Sequence, residues 1–356
     1  MRQTVRFTRS SDGVNLAWAA AGQGPTLVKA SNWLTHLEYD WDSPVWRHWI
    51  RFLAEHFYSV RYDERGCGMS DWVLGGGDHT HWPDDFDKII EAAKPEPPFI
   101  LLGISQGGVA AISYAVRYPE KVSHLILYGA YARGWAKRND PEIEQRMVAI
   151  NALTRLGWGQ NNPVYRQLFT ARFIPEGTAE QFDWFNELCR RTTTPEIASS
   201  LLEMRGQVDV TDLLPKVNVP TLVLQPREDE VTPPAEGILL ASEIPDAKFV
   251  QLESPNHILL EHEPAWSRFK DEVLAFTGVP ASSATEDRIF DSLSPREREI
   301  LVHMAKGYTN AQIGEALFIS EKTVRNHITR IFEKLGVRSR AQAIVLAKDG
   351  NLSLAG

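Results

Sequence analysis

Cysteine is nearly missing: Cys67 and Cys189 are the only two in 356 residues. Two thiols make neither a disulfide framework nor, alone, a zinc site. Long hydrophobic runs are missing as well, since none approaches the ~18–20 residues that span a bilayer. The segment Met1–Gly13 carries basic residues with no apolar stretch behind them, so no secretory signal is read there. Low-complexity tracts and internal repeats are absent, and 43% hydrophobic with 24% charged residues excludes a disordered or collagen-like chain. These absences lead us to expect a cytoplasmic globular protein with no membrane partner, no metal and no cofactor.

What is present is unevenly spread. The net charge is −8, yet residues 286–356 carry +2 and residues 1–285 carry −10, and all 11 Trp precede residue 267. Two parts of different composition imply different partners. After the helical pattern Pro264–Phe276, residues 277–286 are small, contain Gly278 and Pro280, and show no periodicity. The expected organisation is therefore a first domain over 1–276, a linker over 277–286 and a second domain over 287–356.

In the first part, β-branched runs alternate with helical patterns. Strands are expected at 4–10, 14–22, 26–31, 58–64, 98–104, 124–130, 221–226 and 248–254, and helices at 48–57, 86–93, 107–118, 234–244 and 264–276. Inner runs such as Phe99–Leu102 are continuously apolar, as strands covered on both faces must be. The expected class is α/β, a doubly wound, mostly parallel sheet with an antiparallel edge formed by the first two strands. Residues 131–215 break the rhythm and read as a helical cap over the strand ends. Its aromatics Trp158, Tyr165, Phe169, Phe173, Phe182, Trp184 and Phe185 are either the cap's own core or the lining of an apolar pocket.

Gly103-Ile104-Ser105-Gln106-Gly107 leaves an apolar strand and opens a helix. A turn this tight needs small residues around the serine, whose hydroxyl then projects at the top of the sheet. A nucleophilic serine needs a base, and the base needs an orienting acid. Two later loops at the same sheet edge offer them: Arg227-Glu228-Asp229-Glu230-Val231-Thr232-Pro233 and Glu253-Ser254-Pro255-Asn256-His257. Residues 1–276 resemble the α/β-hydrolase fold with a helical cap. The resemblance implies Ser105 as nucleophile, Asp229 as acid, with Glu228 and Glu230 as rivals, and His257 as base. One departure stands out. The family usually has a His-Gly pair after its third strand, where a backbone N–H supplies half the oxyanion hole; here the stretch is Lys29-Ala30-Ser31-Asn32-Trp33. The Trp33 and Gln106 amides are the implied donors. Asn32 is expected to bear the left-handed backbone that glycine adopts most easily, so the triad is expected either to be complete and slow or to be a relic in a binding pocket. His79 and His81, near Asp78, Asp84 and Asp85, lie in a polar Gly-rich loop and are read as surface residues and not as a metal site.

From Leu293 four short helices follow. Ser294, Pro295 and Glu297 make a capping box with proline at the first helical position. On the third helix Val324, Ile328, Ile331 and Leu335 share one face, leaving Arg325, Asn326 and Thr329 on another, and residues 320–340 carry a local net charge of +4. These residues resemble the helix-turn-helix domain of LuxR-type transcriptional regulators over residues 287–350, through Leu293–Glu297, Asn310, Ile313, Glu321–His327 and Lys334–Arg340. The resemblance implies that Arg325, Asn326 and Thr329 reach base edges, that Lys322, Thr323, Arg330 and Arg338 hold phosphates of double-stranded DNA, and that the fourth helix supplies a homodimer seam. The function expected is a regulator whose hydrolase-like domain senses a small, largely apolar ester-, lactone- or acyl-type ligand. The rival is an active serine hydrolase (esterase, lactonase or amidase) tethered to DNA that degrades its own inducer.

Overall fold

Phe99–Ile104, the strand expected to be covered on both faces, is buried at all six positions and runs through the middle of an eight-stranded sheet. The computed structural model describes residues 2–75, 81–158, 160, 169–280, 290, 293–337 and 339–349, and the chain divides into two units, Met1–Pro280 and Ala281–Gly356.

In the first unit the strands are β1 (Thr4–Arg9), β2 (Asn15–Ala21), β3 (Thr26–Ala30), β4 (Tyr58–Tyr62), β5 (Phe99–Ile104), β6 (Val122–Tyr128), β7 (Thr221–Pro226) and β8 (Lys248–Leu252). They lie side by side as β1-β2-β4-β3-β5-β6-β7-β8. Only the β1–β2 and β2–β4 pairings are antiparallel, so the expected antiparallel edge is present. The intervening helices are α1 (Arg47–His56), α2 (His81–Ala93), α3 (Gly107–Arg117), α4 (Pro141–Gly157), α5 (Ala179–Thr192), α6 (Pro195–Gly206), α7 (Pro234–Glu243) and α8 (Pro264–Thr277).

The sheet separates two cores. On one face α1 and α8 interlock through Trp49, Trp266 and Phe269, with ring centroids 4.6–5.3 Å apart. On the other face α2, α3 and α7 bury Phe86, Ile89, Ile112, Tyr114 and Leu240. Strands sandwiched this way have no polar face, which is why β5 and β7 show no alternation. Helix α2 begins at His81, five residues before the start expected from apolar spacing. Its first turn carries Pro83, a place where proline is tolerated, and the residue after that turn, Asp85, is buried against the guanidinium of Arg65 at 2.6 Å. An ion pair closed across the fold holds a turn that hydrophobic periodicity does not reveal. Helices α4, α5 and α6 occupy the stretch between β6 and β7, and each opens on a capping side chain (Asp140, Thr178 and Thr194).

The second unit contains α9 (Pro295–Ala305), α10 (Asn310–Leu317), α11 (Glu321–Leu335) and α12 (Arg340–Asp349). Its core gathers Ile300, Leu301, Met304, Ile313, Val324 and Ile331. Ser294 and Glu297 form the expected capping box, and Thr309 with Gln312 forms a second one. Glu297 does more than cap: its buried carboxylate accepts from Lys334 Nζ at 2.6 Å, tying the start of α9 to the end of α11. Burial raises the carboxyl pKa, but the Lys334 ammonium and the amide and hydroxyl of Ser294 outweigh burial and bring it to about 2.

Because this carboxyl titrates lower in the folded chain than in the unfolded one, its stabilisation is full above pH ~4.5 and lost as pH falls toward 2. With Lys334 partly exposed, Glu297→Gln is expected to weaken the second unit by about 1–2 kcal/mol near neutral pH and by progressively less on acidification. Hydrogen exchange of the α11 amides in the full chain, followed from pH 7 to pH 3, measures this. Equal exchange in the two proteins across that range contradicts the ion-pair account.

Candidate active site and nucleic-acid interface

At the end of β5 the chain turns into α3 through Ser105, whose φ is 54°. A non-glycine residue in the left-handed region costs roughly 1–2 kcal/mol, so the surroundings must hold it there. The Ser105 amide donates to the Tyr128 carbonyl at 3.0 Å, and strand and helix approach so closely that side chains are excluded on both sides. A Cβ on Gly103 would stand 2.6 Å from the Gly108 Cα, and one on Gly107 would stand 2.9 Å from the carbonyl oxygens of Ala30 and Ser31.

The loop after β8 carries His257, and the loop after β7 carries Asp229, both buried. His257 Nδ1 lies 2.6 Å from Asp229 Oδ2. The other oxygen, Oδ1, accepts from the Val231 and Thr232 amides at 2.8 and 2.9 Å. With both its oxygens engaged as acceptors, Asp229 fixes the imidazole with Nδ1 donating, leaving Nε2 as the free basic nitrogen. Of the three acidic candidates, the structure brings only Asp229 to the histidine; Glu228 and Glu230 are exposed. Tyr128 steadies the loop by donating its hydroxyl to the His257 carbonyl at 3.0 Å.

Ser105, Asp229, His257, Asn32, Trp33 and Gln106 all line one cavity of about 290 Å³. Among the described residues the backbone N–H groups of Trp33 and Gln106 have no acceptor, so both are available as oxyanion donors. The expectation about Asn32 is corrected: the left-handed residue in this turn is Leu34, at φ 61°, and not Asn32. The Asn32 side chain has another task, accepting from the buried Lys29 ammonium while donating to the Trp33 carbonyl at 3.2 Å. Burial, with the Arg61 charge adding to it, pushes the Lys29 ammonium down to about 7 against the pull of Asp40.

The aromatics of residues 131–215 divide between the two expected roles. Phe173 and Phe185 line the cavity. Trp158 and Phe169 pack on Trp33, with ring centroids 5.7 and 4.9 Å away, while Trp184 stacks on Tyr39 at 5.0 Å. Tyr165 lies outside the described residues, as do Asp78 and His79; His81 lies 3.9 Å from Asp12. Among the described residues no cluster of three or more His, Cys, Asp or Glu side chains is arranged to hold a metal. Spacing arguments missed the cavity's arginines, Arg138, Arg146, Arg172 and Arg205, which come from separate parts of the chain and carry no local motif.

In the second unit α11 buries Val324, Ile328 and Ile331, with Leu335 half-buried beside them. Lys322, Arg325, Asn326, Thr329 and Arg330 are exposed, and Thr323 is half-buried near the cap, its hydroxyl 2.8 Å from that of Ser320. The Thr329 hydroxyl donates to the Arg325 carbonyl at 3.2 Å. Arg338 lies outside the described residues.

Residues 46–264 match the family described as "Serine aminopeptidase, S33", and residues 291–347 match "Bacterial regulatory proteins, luxR family". The first part is similar to 3-oxoadipate enol-lactonase 2 of Acinetobacter baylyi, 23% identical over 275 residues, which cover 75% of this chain and 96% of that protein. The last part is similar to the spore germination protein GerE of Bacillus subtilis, 49% identical over 63 residues covering 17% of this chain and 85% of that protein. The fold is shared with a crystal structure of a hydrolase from Pseudomonas aeruginosa PA01, with a TM-score of 0.63 at 23% identity over 78% of this chain and 99% of that one. Among the described residues no helix is long and apolar enough to cross a membrane.

A Cβ on Gly129, where φ is 49°, would stand 3.1 Å from His257 Cε1 and 3.3 Å from Nδ1. Gly129→Ala is therefore expected to tilt the imidazole and slow covalent labelling of Ser105 by a fluorophosphonate at least ~10-fold, the usual scale for a misplaced general base. Labelling at the parent rate contradicts that placement.

Proposed function

This chain belongs to the serine aminopeptidase S33 family of α/β-hydrolases and also carries a luxR-family DNA-binding domain, and on that footing we propose that it is a transcriptional regulator whose hydrolase domain senses a small acyl compound. The observation that carries the reading is the division of α11. One face is buried in the core, and the other presents Arg325, Asn326 and Thr329 flanked by Lys322 and Arg330. Arg to guanine and Asn to adenine are the pairings whose geometry discriminates bases, at ~1–3 kcal/mol each. Lys322, Thr323, Arg330 and Arg338 hold phosphates, and α12, which exposes Val345, supplies the seam of a homodimer. The regulator acts in the cytoplasm.

The cavity around Ser105 receives the ligand, an ester, a lactone or a related acyl compound, as the resemblance to a lactone hydrolase supports. The ligand biases DNA binding only if it has different affinities for the two functional states of the chain.

The intact Asp229–His257 pairing favours a second reading alongside the first, in which the site turns its ligand over. Ser105 Oγ attacks the acyl carbon as His257 Nε2 takes its proton. The Trp33 and Gln106 amides stabilise the oxyanion, and the imidazolium protonates the leaving oxygen. Water then hydrolyses the acyl-enzyme by the same steps in reverse, and the regulator resets itself.

Selection of the full chain against random duplexes is expected to enrich one sequence class, and enrichment is expected to vanish in the Thr323→Ala/Arg325→Ala/Asn326→Ala protein. Affinity for the selected duplex falls with salt at a slope near −0.9 per phosphate neutralised. Enrichment that survives the triple substitution, or a flat salt response, contradicts the DNA-reading role. For the site, a fluorophosphonate is expected to label the parent and not Ser105→Ala; labelling elsewhere contradicts the assignment of the nucleophile.

A further inference from the structure

Where residues lining the Ser105 cavity have a buried side-chain polar atom without a partner, that atom is a donor in every described case. Trp33 Nε1, Trp46 Nε1, Gln106 Nε2, and both Nε and Nη1 of Arg205 have no hydrogen-bond partner, and all four residues line the cavity. Among the described residues no lining residue has an unpartnered buried side-chain oxygen. Unmatched buried donors cost ~1–3 kcal/mol each; these atoms are closed off from solvent, so they stand behind the cavity surface, where acceptor oxygens are scarce.

Charge points the same way. Arg205 is 5% exposed, its guanidinium lies 4.7 Å above the Trp33 ring, and Glu64 takes only its Nη2. Arg138 is matched by Glu236 at 3.7 Å and Arg146 by Glu142 at 3.1 Å. Arg172 differs from these. Its acceptors are the Glu230 carbonyl at 3.1 Å and the Met147 sulfur at 3.9 Å, and among the described residues no carboxylate lies within ion-pair distance. Against these four guanidinium groups the cavity wall carries two carboxylates: Asp229, committed to His257, and Glu230, which is exposed. The remaining surface is apolar, from Met147, Phe173, Phe185 and Leu202.

We propose that the compound bound beside Ser105 is an acyl ester or lactone that also carries a free carboxylate, held by the unpaired Arg172, with the buried Arg205 guanidinium adding positive charge behind the wall. This deepens the sensor reading and rests on it: the apolar walls take the carbon chain, the Trp33 and Gln106 amides take the acyl oxygen, and Arg172 takes the acid at the other end. A neutral ester of equal length leaves Arg172 with no carboxylate within ion-pair distance, so the site binds it more weakly.

The test uses the full chain carrying Ser105→Ala, which binds without turnover. The probes are matched pairs, the monomethyl and dimethyl esters of the straight-chain C4–C8 dicarboxylic acids, with calorimetric titration as the readout. The expected result is that at least one monoester binds 10-fold or more tightly than its diester, the scale of a charge-assisted pair. Adding Arg172→Gln, which strands no carboxylate, reduces that preference below about threefold. Arg205→Gln is made together with Glu64→Gln, so that no buried acid is left alone, and it also lowers the preference. Diesters binding as tightly as monoesters at every length, or a preference that survives both variants, overturns the carboxylate proposal and leaves the sensor reading standing. Binding of neither series overturns both.

Discussion

Ser105 is held at φ 54° between a buried strand and the helix that follows it, and the rest of the first unit is arranged around that strained link. Two glycines permit the approach, since a Cβ at Gly103 or Gly107 would run into backbone atoms. Everything placed at the same sheet edge converges on the serine: the loop after β7 delivers Asp229, the loop after β8 delivers His257, and the turn after β3 delivers Trp33. Strain of this kind persists only where the surroundings over-determine it. Here a parallel sheet with a packed core on each face supplies the determination.

Electrostatics divides the molecule along the same line as its two units. The acidic first unit lines its cavity with four arginines against two carboxylates, a local inversion of its overall charge. The second unit is small, with a basic face on a single helix fixed at one end by the Glu297–Lys334 pair. In the proposed function the cavity chooses an anion and the helix meets one, the DNA backbone. A ligand that arrives already charged therefore binds a patch of positive potential without competing with DNA for the same surface.

Much of this was legible in the chain itself, for physical reasons. Inner strands such as Phe99–Ile104 announce themselves because burial on both faces leaves no polar position, and Ser105 because a strand-to-helix turn of this tightness admits few side chains. The face of α11 was legible because Val324, Ile328 and Ile331 recur at helical spacing. What could not be read was whatever depends on groups meeting across the fold. The start of α2 rests on the Arg65–Asp85 pair, while Asp229, preferred in the sequence over Glu228 and Glu230, is the one of the three that loop geometry brings to His257. The arginine-rich wall needs Arg138, Arg146, Arg172 and Arg205 brought together from distant stretches. At Asn32 a family comparison assigned backbone strain to the wrong residue, and the strain sits two residues later, at Leu34.

The central claim is that occupancy of the Ser105 site changes how the chain binds DNA. The most direct measurement is the affinity of the full chain for its selected duplex before and after stoichiometric fluorophosphonate modification of Ser105, with Ser105→Ala treated identically. The account predicts at least a fivefold change in affinity on modification and none in Ser105→Ala, a coupling on the scale usual between linked sites. Equal affinity in the modified and unmodified parent would contradict it.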